Sequence, residues 1–137
     1  MGGVRQHGTA AEIAVRRALH ELGARFRTHN RDLLGSPDIA NRARHWVVFV
    51  HGCFWHRHEG CKRTTTPSRN REFWVAKFDA NMARDARVVA ELEQRKYAVH
   101  VIWECEAEQP ERLRESLERF LAAQQAGTKP KEGVKKG

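Results

Sequence analysis

Cys53, His58 and Cys61 lie in one loop at spacings of five and three residues, and Cys105 comes directly after a predicted strand that ends in Trp103-Glu104. Three thiols and one imidazole are the soft donor set of a closed, tetrahedral structural zinc site. The loop has no hydrophobic residues arranged as a core of its own, so a bound metal would supply the free energy that orders it and ties it to the distant strand. The competing reading makes the cysteines buried or idle thiols and His58 a simple polar residue. All three cysteines fit one metal set, which favours zinc.

A second group could hydrolyse a phosphodiester. Gly35-Ser36-Pro37-Asp38 is followed by an apolar run that ends in His51, with His56 close behind. Water attacking phosphorus builds charge on the phosphoryl and leaving oxygens, and Mg2+ held by a carboxylate such as Asp38 neutralises it. A histidine, with an ordinary pKa of about 6.5, can take or give the proton near neutrality. His51 and His56 flank Cys53, and both are candidates. Bland readings stand beside these. Asp after Pro is often a turn residue bonding its own backbone, and His51 could be a satisfied histidine at a strand end. Glu12 closes the S/T-x-x-E capping box Thr9-Ala10-Ala11-Glu12, which accounts for it fully.

Aromatic residues interleave with basic ones around the same loop. Phe54-Trp55 sits between a zinc ligand and a candidate base, and Phe73-Trp74 follows Arg69, Arg71 and Glu72. Large rings beside Arg and Lys suit stacking on, or insertion between, nucleic-acid bases. A minicore under the loop is the alternative. Nucleic-acid contact is favoured for Phe54 and Trp55, whereas Trp74, in helical step with Phe78 and Met82, serves core or contact equally well.

These groups need elements to position them. Thr9 to about Leu22 carries Ile13, Val15, Ala18, Leu19 and Leu22 as one helical stripe, closed by Gly23. Phe26 to His29 reads as a short strand, Asp32 to Pro37 as a turn, and Pro37 to Ala40 as the start of a second strand. Trp46 to Val50 is apolar without alternation, which suits a strand buried on both faces. A polar stretch from Lys62 to Asn70 precedes a long helix from Arg71 to about Gln94, with Trp74, Phe78, Met82, Val89 and Leu92 at helical steps. Tyr97 to Trp103 alternates as a strand. Pro110 opens a last helix whose Leu113, Leu117, Phe120 and Leu121 face inward. This order predicts a small α/β sandwich with a mixed sheet. Glycine-rich phosphate loops are absent, so nothing points to ATP or a dinucleotide.

The 137 residues suit one domain. With 40% hydrophobic and 31% charged residues, the chain is too apolar for disorder and too polar for a membrane protein. Three cysteines cannot all pair, and no charged-then-apolar leader opens the chain, which argues against an extracellular disulfide framework. The net charge of +8 and pI near 10.0 point to a polyanionic partner. Lys129, Lys131, Lys135 and Lys136 against Glu132 place +3 of that in a basic tail over residues 127–137, leaving +5 on the rest.

His51-Gly52-Cys53-Phe54-Trp55-His56 resembles the very short patch repair (Vsr) mismatch endonucleases, supported by Pro37-Asp38 upstream and by Arg71-Glu72-Phe73-Trp74 and Trp103-Glu104-Cys105 downstream. The likeness spans Thr9 to about Glu106, with Asn81 and Arg84-Asp85 also in register. It implies a restriction-endonuclease-like sandwich, a central mixed β-sheet flanked by helices with a structural zinc loop, over residues 9–126. It also implies a Mg2+-dependent nick 5′ to the thymine of a T·G mismatch, which arises by 5-methylcytosine deamination. Asp38 becomes the metal-binding carboxylate, His56 the general base, and His51 and Glu12 supporting members. Val50 stands where some members have threonine and would serve Mg2+ through its backbone carbonyl. Cys53, His58, Cys61 and Cys105 become the Zn2+ ligands. Phe54, Trp55 and Trp74 become the wedge into double-stranded DNA, while the +5 charge outside the tail reads as a DNA-facing surface around Arg57, Lys62, Arg63, Arg69 and Arg71. Residues 1–8 correspond to a DNA-embracing arm that is short here. The resemblance further implies a monomer of the bacterial cytoplasm, near the nucleoid, with mismatch-repair proteins as partners and no membrane contact. The alternatives are a non-catalytic, zinc-stapled DNA-binding module and a nicking nuclease with relaxed mismatch specificity.

Overall fold

The apolar run before His51 becomes the middle strand of a three-stranded sheet. In the computed structural model, which describes residues 10–28 and 30–127, the elements follow as α1 (Ala10–Glu21), β1 (Ile39–Asn41), β2 (Trp46–His51), α2 (Cys53–His56), α3 (Arg71–Gln94), β3 (Ala98–Trp103), α4 (Glu104–Ala107) and α5 (Pro110–Gly127). The sheet order is β1-β2-β3, with β2 antiparallel to β1 and parallel to β3. The sheet is therefore mixed and flanked by helices. The predicted arm over residues 1–8, the capping residue Thr9 and all but the first residue of the predicted basic tail lie outside the described residues.

Every β2 residue except Val50 is buried, because helices cover both faces of the sheet. Trp46 and Val48 pack with Ile102 of β3 against Val15 and Leu19 of α1 and Leu113 and Leu117 of α5. Val47 and Phe49 turn the other way, onto Leu33, Ala40 and Leu92, with Val88 of α3 at the margin. That two-sided demand for apolar residues explains the missing alternation. Truncating a fully buried Leu or Ile in such a core costs about 2–5 kcal/mol.

Helix ends follow local rules. Gly23, at φ +80°, closes α1 with Gly23 N–H donating to His20 O and Ala24 N–H to Leu19 O, both at 3.0 Å. Gly35 is required for a different reason: at φ +78°, a Cβ there would come within 2.5 Å of Val88 Cγ1, so the turn before Asp38 presses directly on α3.

Four expectations need correction. Phe26 to His29 is not a strand among the described residues; only Arg27 bridges, to Ala40, through bonds of 2.8 and 3.0 Å. Ile13 is 44% exposed, while Glu12 is buried with Val15, Ala18 and Leu19, so the inward stripe of α1 starts on a carboxylate. Met82 is 43% exposed rather than inward. The segment around the cysteines is not all loop, because α2 and α4 each form one helical turn carrying a cysteine.

Candidate active site and metal centre

Asp38 stands at the entry to β1, where Pro37 has ended the turn. Its Oδ2 accepts the Val50 N–H at 2.7 Å, so β2 orients the carboxylate directly. Glu12 reaches the same point from the buried face of α1 and hydrogen-bonds the Asp38 side chain. Arg16 Nη2, one turn on, lies 3.8 Å from Glu12 Oε1. Asp38 thus bonds well beyond its own turn, and the Glu12 carboxylate is turned into this cluster. Burial, then the hydrogen bond to Glu12, pushes the Asp38 carboxyl up to about 7, against the lowering effect of the Val50 N–H. Two carboxyls side by side in a partly dry site are a natural seat for a hard, oxygen-preferring divalent cation.

A pH dependence follows. Between the ordinary value of 3.8 and about 7, the folded protein holds a proton at Asp38 that the unfolded chain has released. The stability this contributes is full below the window and lost as pH rises through it. Without divalent metal, the thermal midpoint should drop by several degrees more from about pH 5 to pH 8 than that of Asp38→Asn, whose neutral amide carries no such component. Added Mg2+ should restore it at the alkaline end. Parallel melting curves for the two proteins across the range would refute the assignment.

The two histidines meet. His51, buried at the end of β2, stacks on His56, the last residue of α2, with ring centroids 3.9 Å apart and planes 8° from parallel. His56 Nδ1 is 2.6 Å from Asp85 Oδ2 on α3. A carboxylate only accepts, so the Nδ1–H donates to Asp85 and Nε2 is the ring nitrogen turned away from that bond. Burial, then the neighbouring His56, lowers His51 to about 4, leaving it neutral at pH 7. Asp85 is the residue that sequence reasoning did not assign a role. Its partner lies 29 residues away, and only its position next to Arg84 on the long helix marked it.

Cys53, His58, Cys61 and Cys105 converge with all four donor atoms within 4.8 Å of one another. His58 Nδ1 is 3.6 Å from Cys53 Sγ and 3.4 Å from Cys105 Sγ. Sulfur and nitrogen bound to tetrahedral zinc stand roughly 3.6 Å apart, so the residues present fit that ion. The surroundings hold the set in place. His58 stacks on Trp103 at 4.3 Å, and Thr64 Oγ1 donates to His58 O at 2.5 Å. Arg63 clasps both oxygens of Glu108 at 2.9 and 2.5 Å, tying the loop to the segment beyond Cys105. Burial pushes the Cys53 thiol up to about 12, a cost that a thiolate-binding metal removes.

Beside these centres lies a connected group of rings. Phe54 meets Trp55 at 5.0 Å and Phe78 at 5.2 Å edge-on, and Trp74 lies 6.0 Å from Trp55 and 5.7 Å from Phe78. Only Phe78 is buried, while Phe54, Trp55 and Trp74 stay half-exposed and Phe73 is 61% exposed. Asn81 Nδ2 donates to Trp55 O at 3.3 Å. Arg57 is used internally: its guanidinium lies 3.9 Å from the Phe78 ring centroid and donates to Phe54 O, Thr65 O and Thr66 Oγ1. Arg71 is exposed at the start of α3. One open cleft of ≈ 610 Å3 is lined by Glu12, Asp38, Trp55, His56, Lys77 and Arg84, so carboxylates, an imidazole, an aromatic ring and cations face a common space.

The family model for DNA mismatch endonuclease Vsr matches residues 1–63. The chain is 48% identical over 103 residues, 75% of each sequence, to the type II nicking enzyme V.XorIIP of Xanthomonas oryzae pv. oryzae. It is 38% identical over 113 residues, 82% of this chain and 80% of the relative, to the type II nicking enzyme V.NmeAIP of Neisseria meningitidis. To DNA mismatch endonuclease Vsr of Escherichia coli it is 33% identical over 131 residues, 92% of this chain and 83% of the relative. With relatives this similar over most of their length, the chain belongs to the Vsr family of DNA mismatch endonucleases.

Proposed function

We propose that this DNA endonuclease nicks one strand of duplex DNA 5′ to the thymine of a T·G mismatch, with Mg2+ in the catalytic cleft and Zn2+ in the Cys3His cluster. The observation that carries the reading is the cleft lined by the Glu12–Asp38 carboxyl pair, by His56, which Asp85 holds from behind, and by Phe54 and Trp55. Asp38, supported by Glu12 and the Val50 carbonyl, would hold Mg2+, which supplies charge neutralisation at the phosphoryl and leaving oxygens. His56 Nε2 accepts the proton of the attacking water while Asp85 holds the ring and stabilises the charge it gains. The new O–P bond forms as the P–O3′ bond breaks, and the departing O3′ takes a proton from solvent water, leaving a 5′-phosphate and a 3′-hydroxyl. His51, neutral and buried, keeps His56 in plane by stacking. The sheet and its flanking helices serve as a restriction-endonuclease-like core.

Phe54, Trp55 and Trp74, with Phe73 beside them, are read as the wedge, entering more easily at a mismatched step than in a matched duplex. Arg71, Lys77 and Arg84 are read as phosphate contacts. Arg57 serves by bracing Phe54 and Phe78. The protein is read as a monomer of the bacterial cytoplasm, acting near the nucleoid beside mismatch-repair proteins. Two of the relatives are named nicking enzymes, which favours keeping strand nicking with relaxed mismatch preference as the second reading.

One experiment tests both. Duplexes with a single T·G pair and their matched twins are incubated with protein and Mg2+. Preferential cutting of the T·G strand is expected; equal cutting of both leaves only the second reading, and cutting of neither removes both. Trp55→Ala should weaken binding of the T·G duplex by about 10- to 100-fold, the cost of one lost base stack, while matched-duplex binding changes less. Equal losses on the two duplexes would deny Trp55 the wedge role.

A further inference from the structure

We propose that His51, His56 and Asp85 form a second metal site, selective for imidazole-preferring divalent cations such as Zn2+, Co2+ and Ni2+, whose occupation silences the enzyme. One donor atom from each residue lies within 4.8 Å of the other two. His56 Nδ1 and Asp85 Oδ2 are already at 2.6 Å, and the His51 ring lies parallel at 3.9 Å. Donors bound at about 2.0–2.1 Å around a tetrahedral zinc stand roughly 3.3 Å apart, so tilting the two imidazoles out of their stack closes the set. His56 has room for this: it ends a one-turn helix, its side chain is 24% exposed and that of Asp85 22%. An ion reaches them along an open groove between α3 and β3 of ≈ 750 Å3, lined by Met82, Val89, Val101 and Trp103.

Donor chemistry separates this site from the others. Two imidazoles and one carboxylate, with positions left for water, suit borderline-soft ions and not Mg2+, which keeps to oxygen donors and water. The Asp38–Glu12 pair is the hard seat and the Cys3His cluster the soft one, and this set lies between them. An ion on His56 Nδ1 displaces the proton donated to Asp85, so the neutral ring then carries its proton on Nε2 and has no lone pair there with which to receive the proton of water. Zn2+ beyond that filling the cysteine cluster therefore stops nicking, and added Mg2+ does not displace it. The site rests on geometry alone, while the inhibition rests on the proposed role of His56.

The test uses zinc-loaded protein dialysed against Co2+ at neutral pH. One further equivalent of Co2+ per chain is expected, with weak visible bands and without the intense thiolate charge-transfer absorption of a cysteine site. His51→Phe, which keeps an aromatic ring of similar size, and Asp85→Ala should each weaken that binding at least about tenfold, with circular dichroism confirming the fold. No additional equivalent, unchanged affinity in both variants, or a thiolate band from the added cobalt would each overturn the site. A parallel Zn2+ titration of nicking at fixed Mg2+ should show loss of activity over the range in which the extra ion binds. Binding without inhibition would uphold the site and overturn its effect on the base.

Discussion

Asp38→Asn should lower the nicking rate on a T·G duplex by about 10^3-fold or more, with zinc content and folding unchanged. The substitution is nearly isosteric, and its amide oxygen can still accept the Val50 N–H that Asp38 takes at 2.7 Å. What disappears is the negative charge that would bind Mg2+ and allow charge to build on phosphorus. Raising Mg2+ should recover little of the loss, because the amide replaces an anionic ligand with a weak neutral one. Glu12→Gln should do less damage, since the pair would keep one carboxylate, and should shift the Mg2+ concentration for half-maximal rate upward. Single-turnover rates across a Mg2+ series separate the cases. If Asp38→Asn retained a tenth of the native rate, another group would have to carry the metal.

The second large effect concerns Cys105. Cys105→Ser should reduce bound zinc well below one equivalent and lower the thermal midpoint by roughly 10 °C or more, as expected when several kcal/mol of metal-linked folding energy is withdrawn. Cys105 comes from α4, beyond the end of β3, whereas the other three donors lie between residues 53 and 61, so this ligand alone spans the two segments. The Arg63–Glu108 clasp would remain, but it is exposed and its strength falls with salt. The variant should therefore be markedly more salt-sensitive in its melting than the native protein. A chelator should carry the native protein to the same low midpoint. Equal midpoints for variant and native protein, with zinc absent from both, would remove the structural metal.

Much of this arrangement is legible in the sequence because its signals are local or periodic. The long helix predicted from Arg71 to about Gln94 is α3, Arg71–Gln94, and the unbroken apolar run is the central strand, since each pattern extends over enough residues to be read. The errors fall where packing decides. Ile13 and Glu12 are neighbours on α1, and composition puts the isoleucine inside; the site demands the carboxylate, and the helix is rotated accordingly. Met82 fails similarly, because most of α3 is exposed and only Phe78 and Leu92 are fully covered. One-turn helices such as α2 and α4 have no periodicity to detect. Of the site itself, residue types and spacing bring Asp38, His51, His56 and the cysteines to notice. They do not bring Asp85, because contact across 29 residues is a property of the fold rather than of any motif.

The four-residue helix α2 has a mechanical consequence. Cys53 opens α2 and His56 closes it, so a thiol of the metal cluster and the imidazole facing the cleft sit on one rigid turn of four residues. The two centres form a lever with a very short arm. Replacing the ion at one end by a larger one, with longer bonds to sulfur, should displace the ring at the other by some fraction of an ångström. An ion with no part in hydrolysis would then set the reach of the group that performs it.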